Sequence, residues 1–411
     1  MQAFVRFFGR GKLSSTIVST VTLILRVFHG QYPVRILSML VFVLYLGFFM
    51  DQITEAQWFQ DVDNLALSQK RKGVVKNYIH KILERGGLVI IDIRHMAALI
   101  GINDDLLDRM IVHPDRYYRT FKIPKRQGGE REISAPYPAL MKVQRWIYDN
   151  ILLPTTLLPD SVTGFIPGKS ILHNAMPHIG SQYVLKMDIK DFFPSISIDR
   201  VILVFRGLGY HHRLSYALAA LCCCNGSLPQ GAPTSPILSS IIAKRLDKRI
   251  MGFVEKKGLH YTRYADDITV SGDEIKLSHI RFIERLIIDE GFTPNPTKTQ
   301  LLGPGVKKVI TGVSISSGKA TIPKNMKRKI RQESYYIERY GLKGHLKHEG
   351  IKDPVFPIRL QGKIAYWKSV EPKNEQLQEM FSSLRGAIRR PRIKWLTSLK
   401  KVFYYKNNGN A

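Results

Sequence analysis

Tyr264-Ala265-Asp266-Asp267 constrains this chain more than any other stretch, because two adjacent carboxylates stand where two β-rich runs turn back on each other. Leu259-His260-Tyr261-Thr262-Arg263 precedes it and Ile268-Thr269-Val270-Ser271 follows it. These short β-branched and aromatic segments predict a hairpin with the acidic pair at its tip. Such a pair suits Mg²⁺, which takes a few carboxylate oxygens and fills the rest of its shell with waters and phosphate oxygens. Alone, it reads equally well as an Asp-Asp turn on the surface.

A third carboxylate decides between these. Tyr183-Val184-Leu185-Lys186-Met187-Asp188 reads as a buried-type strand that ends on an acid. Three carboxylates from two neighbouring strands can hold two Mg²⁺ ions, one lowering the pKa of an attacking hydroxyl and one stabilising a leaving pyrophosphate. Phosphoryl transfer is mostly positioning and charge neutralisation, so Asp188, Asp266 and Asp267 suffice as the core of a nucleotidyl transferase. Of the adjacent pair, Asp266 is expected to be the stronger ligand.

The charge agrees with a polyanionic partner. The 411 residues hold 62 Lys and Arg against 33 Asp and Glu, a net +29. Residues 321–411 alone carry 21 basic against 7 acidic side chains, interleaved with Tyr335, Tyr336, Tyr340, Tyr366, Trp367 and Trp395. Basic residues mixed with aromatics suit a nucleic-acid groove better than an acidic membrane or a merely solvated face. The three cysteines form the run Cys222-Cys223-Cys224, which has no zinc-ligand spacing and predicts buried, reduced thiols on a helix in a cytoplasmic protein.

Organisation along the chain follows from periodicity. Residues 1–65 form an apolar, basic extension with two apolar stretches, Ile17 to Phe28 and Ile36 to Met50. The second is too short for the roughly 20 residues of a spanning helix. Three readings stand for this extension: a membrane-associated helical hairpin through residues 1–50, a docking segment for a partner, or a non-native addition from an early start codon. Residues 66–118 are helical in pattern. A hairpin follows, with strands around Tyr118 to Lys125 and Arg131 to Ser134 and a turn at Gln127-Gly128-Gly129. Helices are expected over Ala139–Leu152, around Val201, over Leu214–Cys224, over Ile237–Val254 and over Ile280–Glu290. Residues 225–236 form a Gly/Pro-rich loop, and a short β region reaches Ile322.

Three ordered elements carry a resemblance. Asp188-Ile189-Lys190-Asp191-Phe192-Phe193, Leu228-Pro229-Gln230-Gly231-Ala232-Pro233-Thr234-Ser235-Pro236 and Tyr264-Ala265-Asp266-Asp267 together resemble the successive palm motifs of reverse transcriptases, over roughly residues 70–320. Within that class the chain is most similar to the bacterial retron group. Asn174-Ala175-Met176-Pro177-His178 matches its Asn-Ala-x-x-His element, and Ile310-Thr311-Gly312 resembles its Val-Thr-Gly element with Ile310 in place of Val.

The resemblance implies an α+β right-hand polymerase: fingers and a palm with an antiparallel sheet over residues 66–320, and a basic helical, RNA-binding thumb over 321–411. It implies that Lys125 and Arg131 grip the triphosphate, that Phe193 excludes a ribose 2′-hydroxyl, and that Gln230-Gly231 lets the backbone approach the nascent base pair. Lys298 is expected near the leaving pyrophosphate as a proton donor. Asn174, His178, Thr311 and Gly312 are expected to shape the surface that meets RNA or primer.

The partners implied are a cognate structured non-coding RNA, its RNA–DNA product, dNTPs and a separate effector protein. A retron enzyme starts DNA from a 2′-hydroxyl of an internal guanosine, leaves a branched RNA–DNA molecule and serves antiphage defence. A group II intron enzyme would add a maturation region and often a Cys/His-rich endonuclease; the 91-residue tail is short for the first, and the sequence has no cluster for the second. A non-catalytic RNA-binding scaffold, or a membrane-associated sensor or effector acting through the apolar N-terminus, are the readings from other classes.

Overall fold

The computed structural model describes residues 54–125 and 128–389. The apolar stretches before residue 51 and the tail from 390, with Trp395, lie outside the described residues, as does Gln127 of the expected hairpin turn. The chain divides into two compact units, 1–89 and 90–411. In the first, the Glu55–Asn64 and Gln69–Glu84 helices pack together. Thr54 and Ser68 cap them, their hydroxyls accepting from Gln57 N and Arg71 N. Among the described residues, no helix is long and apolar enough to cross a membrane.

The second unit begins with the Ile93–Ile100 and Asp104–Val112 helices. A two-stranded antiparallel hairpin follows, β1 (Tyr118–Pro124) and β2 (Glu130–Pro136). The expected Ala139–Leu152 helix runs from Pro138 to Ile147 and then widens into a π turn, Tyr148–Leu152. Pro154 sits inside the short helical turn after it, Leu153–Thr155, rather than beyond its end.

The central sheet is antiparallel with strand order β4-β5-β3-β6, where β3 is Tyr183–Asp188, β4 His260–Tyr264, β5 Asp267–Gly272 and β6 Gln300–Leu302. Its inner strands are buried on both faces: Val184, Leu185, Ile268 and Val270 are all at or below 1 % exposure. The Ile198–Gly207, His212–Cys222, Ser235–Ile242, Lys244–Glu255 and Leu277–Asp289 helices make up the rest of this region. The single helix expected over Ile237–Val254 is two helices, divided by a turn at Ala243 (φ −79°, ψ −2°), which ends one and starts the next. Cys222 ends its helix, and Cys223 and Cys224 fall beyond it. All three are free and buried, and burial pushes the Cys222 thiol up to about 12, so it stays protonated.

Beyond the sheet, β7 (Val309–Ile310) and β8 (Val313–Ser314) make a tight hairpin that joins three basic helices. These are Lys324–His348, interrupted at Gly341 (φ 72°), Phe356–Val370 and Gln376–Arg389. One continuous apolar cluster runs from Ala175 and Val184 through Ile310 and Val313 to Ile330, Leu360, Ile364 and Trp367. The short hairpin is therefore the packing joint between the sheet and the helical region.

Candidate active site

Strand register brings the three carboxylates together. Asp188 is the last residue of β3 and lies directly opposite Asp267, the first of β5. Tyr264 also pairs with Asp267, which leaves Ala265-Asp266 as a two-residue loop at the same end of the sheet. The Ile189 N–H donates to the Asp266 carbonyl at 3.0 Å, tying the loop to the end of β3. Ala265 adopts φ 57°, a left-handed conformation that a non-glycine residue holds only when its surroundings impose it.

Part of that imposition comes from a neighbouring segment. Val162 bridges Arg263, the Thr163 N–H donates to the Arg263 carbonyl at 2.9 Å, and Gly164 lies against the loop. A Cβ on Gly164 would stand 2.5 Å from Ala265 N and 3.0 Å from Tyr264 Cα. Only glycine permits this approach.

The electrostatics favour a cation. Desolvation, followed by the charges of Asp266 and Asp188, pushes the Asp267 carboxyl up to about 6. Asp266 is also raised, first by desolvation and then by Asp188, while Lys298 and Arg131 oppose the shift. Carboxylates that raise one another carry excess negative charge, and hard oxygen donors in this arrangement fit a divalent ion.

Asp188 is engaged differently. Its Oδ1 accepts from Lys298 Nζ at 2.7 Å and its Oδ2 from Asn295 Nδ2 at 3.0 Å. Among the described residues, no three Asp, Glu, His or Cys side chains form a preset metal cage. Lys298 is held on the carboxylate itself, and that hydrogen bond raises its pKa, so it is charged at neutral pH.

Other expected site residues fall at graded distances from this centre. Arg131, on exposed β2, is near enough to act electrostatically on Asp266, whereas Lys125 is exposed at the hairpin tip, its N–H donating to the Gly129 carbonyl at 2.9 Å. Phe193 is half-buried, with its ring centroid 5.7 Å from buried Phe192 and 6.4 Å from Phe165.

Gly231 (φ 130°) does make a close backbone approach, but the neighbour is β2. An added Cβ would lie 2.9 Å from the Ser134 carbonyl oxygen, and the Gln230 carbonyl accepts from Ser134 N at 2.8 Å. The Gln230-Gly231 loop thus ties the β1–β2 hairpin to the sheet region.

The expectation that Asn174 and His178 shape an RNA-facing surface needs correction. Both are fully buried, and their polar atoms are satisfied inside the protein. His178 bonds Ser271 Oγ through Nδ1 (2.7 Å) and Thr262 Oγ1 through Nε2 (2.8 Å), bridging β5 and β4. Burial and then nearby His260 lower its pKa to about 3, so it is neutral. Asn174 accepts from Thr163 Oγ1 at 2.9 Å and donates to Thr311 Oγ1 at 3.3 Å.

Thr311 (φ 43°) and Gly312 (φ 87°) are the two loop residues between β7 and β8, and the Gly312 Cα position faces Tyr366 Oη. The two group-specific elements therefore meet at the joint between sheet and helices. On the first of those helices, Lys324, Lys327, Arg328, Arg331, Tyr335 and Tyr336 line one open groove.

Phe165 was not singled out in the sequence. It is 46 % exposed, has φ 60°, and lies 5.8 Å from the Tyr264 ring. Its position after Gly164 was the available signal.

Residues 123–327 match the family model described as reverse transcriptase (RNA-dependent DNA polymerase). The chain is 38% identical over 257 residues to the Retron Ec86 reverse transcriptase of Escherichia coli, covering 61% of this chain and 80% of that one. It is 34% identical over 307 residues to the Retron Mx65 reverse transcriptase of Myxococcus xanthus (68% and 69%). To the Retron Ec83 reverse transcriptase of Escherichia coli it is 30% identical over 285 residues (63% and 85%). A solved telomerase from Candida albicans aligns over 66% of this chain and 63% of that chain with a TM-score of 0.37 and 11% identity, a distance at which it carries no weight.

Proposed function

Since this chain belongs to the retron reverse transcriptases and is an RNA-directed DNA polymerase, we propose that Asp188, Asp266 and Asp267 are its catalytic carboxylates and hold two Mg²⁺ ions. The observation that carries this is the register that sets Asp188 opposite Asp267 with Asp266 in the intervening loop. Reverse transcriptases generally use divalent ions, and the mutually raised carboxyls here suit one. When bound, the ions lower the pKa of the attacking hydroxyl and neutralise the leaving pyrophosphate.

The chain's own groups do the rest. Arg131, and Lys125 at the exposed end of its hairpin, clamp the triphosphate through charge-assisted hydrogen bonds. Phe193, backed by Phe192, closes the space a ribose 2′-hydroxyl would need. Lys298, held on Asp188 Oδ1 at 2.7 Å, would offer its proton to the pyrophosphate side. The Gln230-Gly231 loop keeps the gripping hairpin in register with the sheet, and Asn174, His178, Thr311 and Gly312 set the joint on which the basic helices stand.

The RNA is template and partner, and the basic groove from Lys324 to Tyr336 is its seat on the helical region. We infer further that the enzyme copies part of its own structured non-coding RNA from an internal guanosine 2′-hydroxyl, in the cytoplasm, and that the branched product works with a separate effector in antiphage defence. Deleting residues 1–50 tests an effector role for the extension at a membrane: full polymerase and defence activity without them would sink that reading.

Nucleic acid that copurifies with the protein is the test. Sequencing before and after RNase and debranching treatment should reveal a short DNA joined to RNA through a 2′–5′ bond. Linear DNA, insensitive to the debranching enzyme, would overturn the branched-product reading.

A further inference from the structure

We propose that the buried Asp247–Arg263 pair is a positioning device that holds the Ala265-Asp266 loop in its metal-binding conformation, acting through the Ala265 carbonyl. The proposal rests on the reading of Asp266 and Asp267 as metal ligands and deepens it.

Asp247 lies on the Lys244–Glu255 helix and Arg263 on β4, one residue before Tyr264, and both are 0 % exposed. The guanidinium grips the carboxylate with two bonds, Nε to Oδ1 and Nη2 to Oδ2, each 2.6 Å. Tyr261 Oη donates a third bond to Asp247 Oδ1 at 2.6 Å. Burial alone would lower the Arg263 pKa, and Asp247 more than offsets this, so the group stays charged. Its remaining nitrogen, Nη1, donates to the Ala265 carbonyl at 3.0 Å.

That last bond gives the pair a role beyond packing. Asp266 is flanked by two peptide groups, and both are held. Arg263 fixes the Ala265 carbonyl ahead of it, and the Ile189 N–H fixes its own carbonyl behind it. Ala265 N is meanwhile crowded by Gly164. The peptide groups on both sides of Asp266 are therefore held, and the point from which its side chain leaves the backbone is set before any ion arrives.

A buried ion pair is a poor way to add stability, because desolvating both charges offsets their attraction, and apolar replacements of similar volume are often as stable. An apolar pair cannot donate to Ala265. The guanidinium also lies over the Phe192 ring, 5.8 Å from its centroid, so it backs the neighbour of Phe193 as well.

Two variants separate positioning from folding. Arg263→Lys keeps a cation beside Asp247 but cannot span both the carboxylate and the Ala265 carbonyl with one ammonium. The triple change Asp247→Leu, Arg263→Met and Tyr261→Phe replaces the pair and the hydroxyl bonded to it by apolar groups. For each full-length protein with its cognate RNA, the measurements are melting temperature, RNA binding, DNA synthesis against Mg²⁺ concentration, and Mn²⁺ binding by electron paramagnetic resonance.

The expected result is near-normal melting and RNA binding in at least the triple variant. Half-saturating Mg²⁺ and the Mn²⁺ dissociation constant should both rise by about 10- to 100-fold, the range typical of groups that orient metal ligands. The dNTP KM at saturating metal should stay close to that of the wild type. A folded variant with unchanged metal demand overturns the proposal, and so does loss of folding in both variants, which would make the pair a stability element. Asp266→Ala, run in parallel, separates the two levels: normal synthesis by that protein sinks the metal-site reading itself, whereas an inactive Asp266→Ala beside normal Arg263 variants sinks only the positioning role.

Discussion

Two hairpins carry the chemistry proposed for this polymerase, and they are built in opposite ways. The β4–β5 hairpin is interior: Thr262, Arg263, Ile268 and Val270 are at or below 2 % exposure, and its polar side chains find partners in Asp247, His178 and Asn174. The β1–β2 hairpin is mostly solvent-exposed, with Arg119, Lys122, Lys125 and Arg131 on its surface, and it reaches the sheet region through Ser134 and the Gln230-Gly231 loop. A metal site benefits from a backbone held beforehand, because less of it must reorganise when ions bind. The cations proposed to grip a triphosphate stand instead on a hairpin open to solvent, where a phosphate can reach them.

Changes to the rigid hairpin should therefore cost more than changes to the exposed one. Apart from the carboxylates themselves, the largest effect is expected from Gly164→Ala beside that hairpin, whose methyl would meet Ala265 N at 2.5 Å, a backbone atom that cannot swing aside. Displacing the loop by about 1 Å should lower kcat roughly 100-fold, with dNTP KM little altered. Single-turnover DNA synthesis checks it, and a wild-type rate would show that the loop is not held rigidly.

Arg131→Ala in the exposed hairpin should raise dNTP KM by roughly tenfold, the loss of one charged hydrogen bond, while leaving stability unchanged. If kcat fell and KM stayed constant, the two hairpins would not differ as described.

The smallest effect concerns pH. His178 is held neutral with a pKa of about 3, against 6.5 for the free side chain. The unfolded chain takes up this proton as pH falls below 6.5 and the folded protein does not. Stability is thus fully present above 6.5 and declines toward pH 3, by up to about 1.4 kcal/mol per pH unit. His178→Gln should melt at a lower temperature at pH 7 but lose less on acidification from pH 6 to pH 4. Parallel melting curves in that window would contradict the assignment.

The sequence made the site's acids and strands readable for a physical reason. Asp188 and Asp266-Asp267 end short, strongly patterned β runs, and local alternation with a turn between is information a single chain displays. Asp247 and Arg263 were not legible, since sixteen residues and a change from helix to strand separate them. A charged residue in a helix otherwise reads as solvated. Nor does alternation mark the Arg263 position as interior, because β4 is buried at Tyr261, Thr262 and Arg263 in succession. His178 and Asn174 were found as a motif, yet their burial depends on Thr262, Ser271 and Thr311, which lie far along the chain. The break at Ala243 has neither Gly nor Pro to announce it.

That Asp188, Asp266 and Asp267 together make the metal site for DNA synthesis is tested most directly by Asp266→Ala. Labelled dNTP incorporation on the cognate RNA in Mg²⁺ should fall by roughly a thousandfold or more, because a bound ion contributes several kcal/mol to the transition state. RNA binding measured on the same preparation should persist. DNA synthesis at the wild-type rate by Asp266→Ala would contradict the assignment.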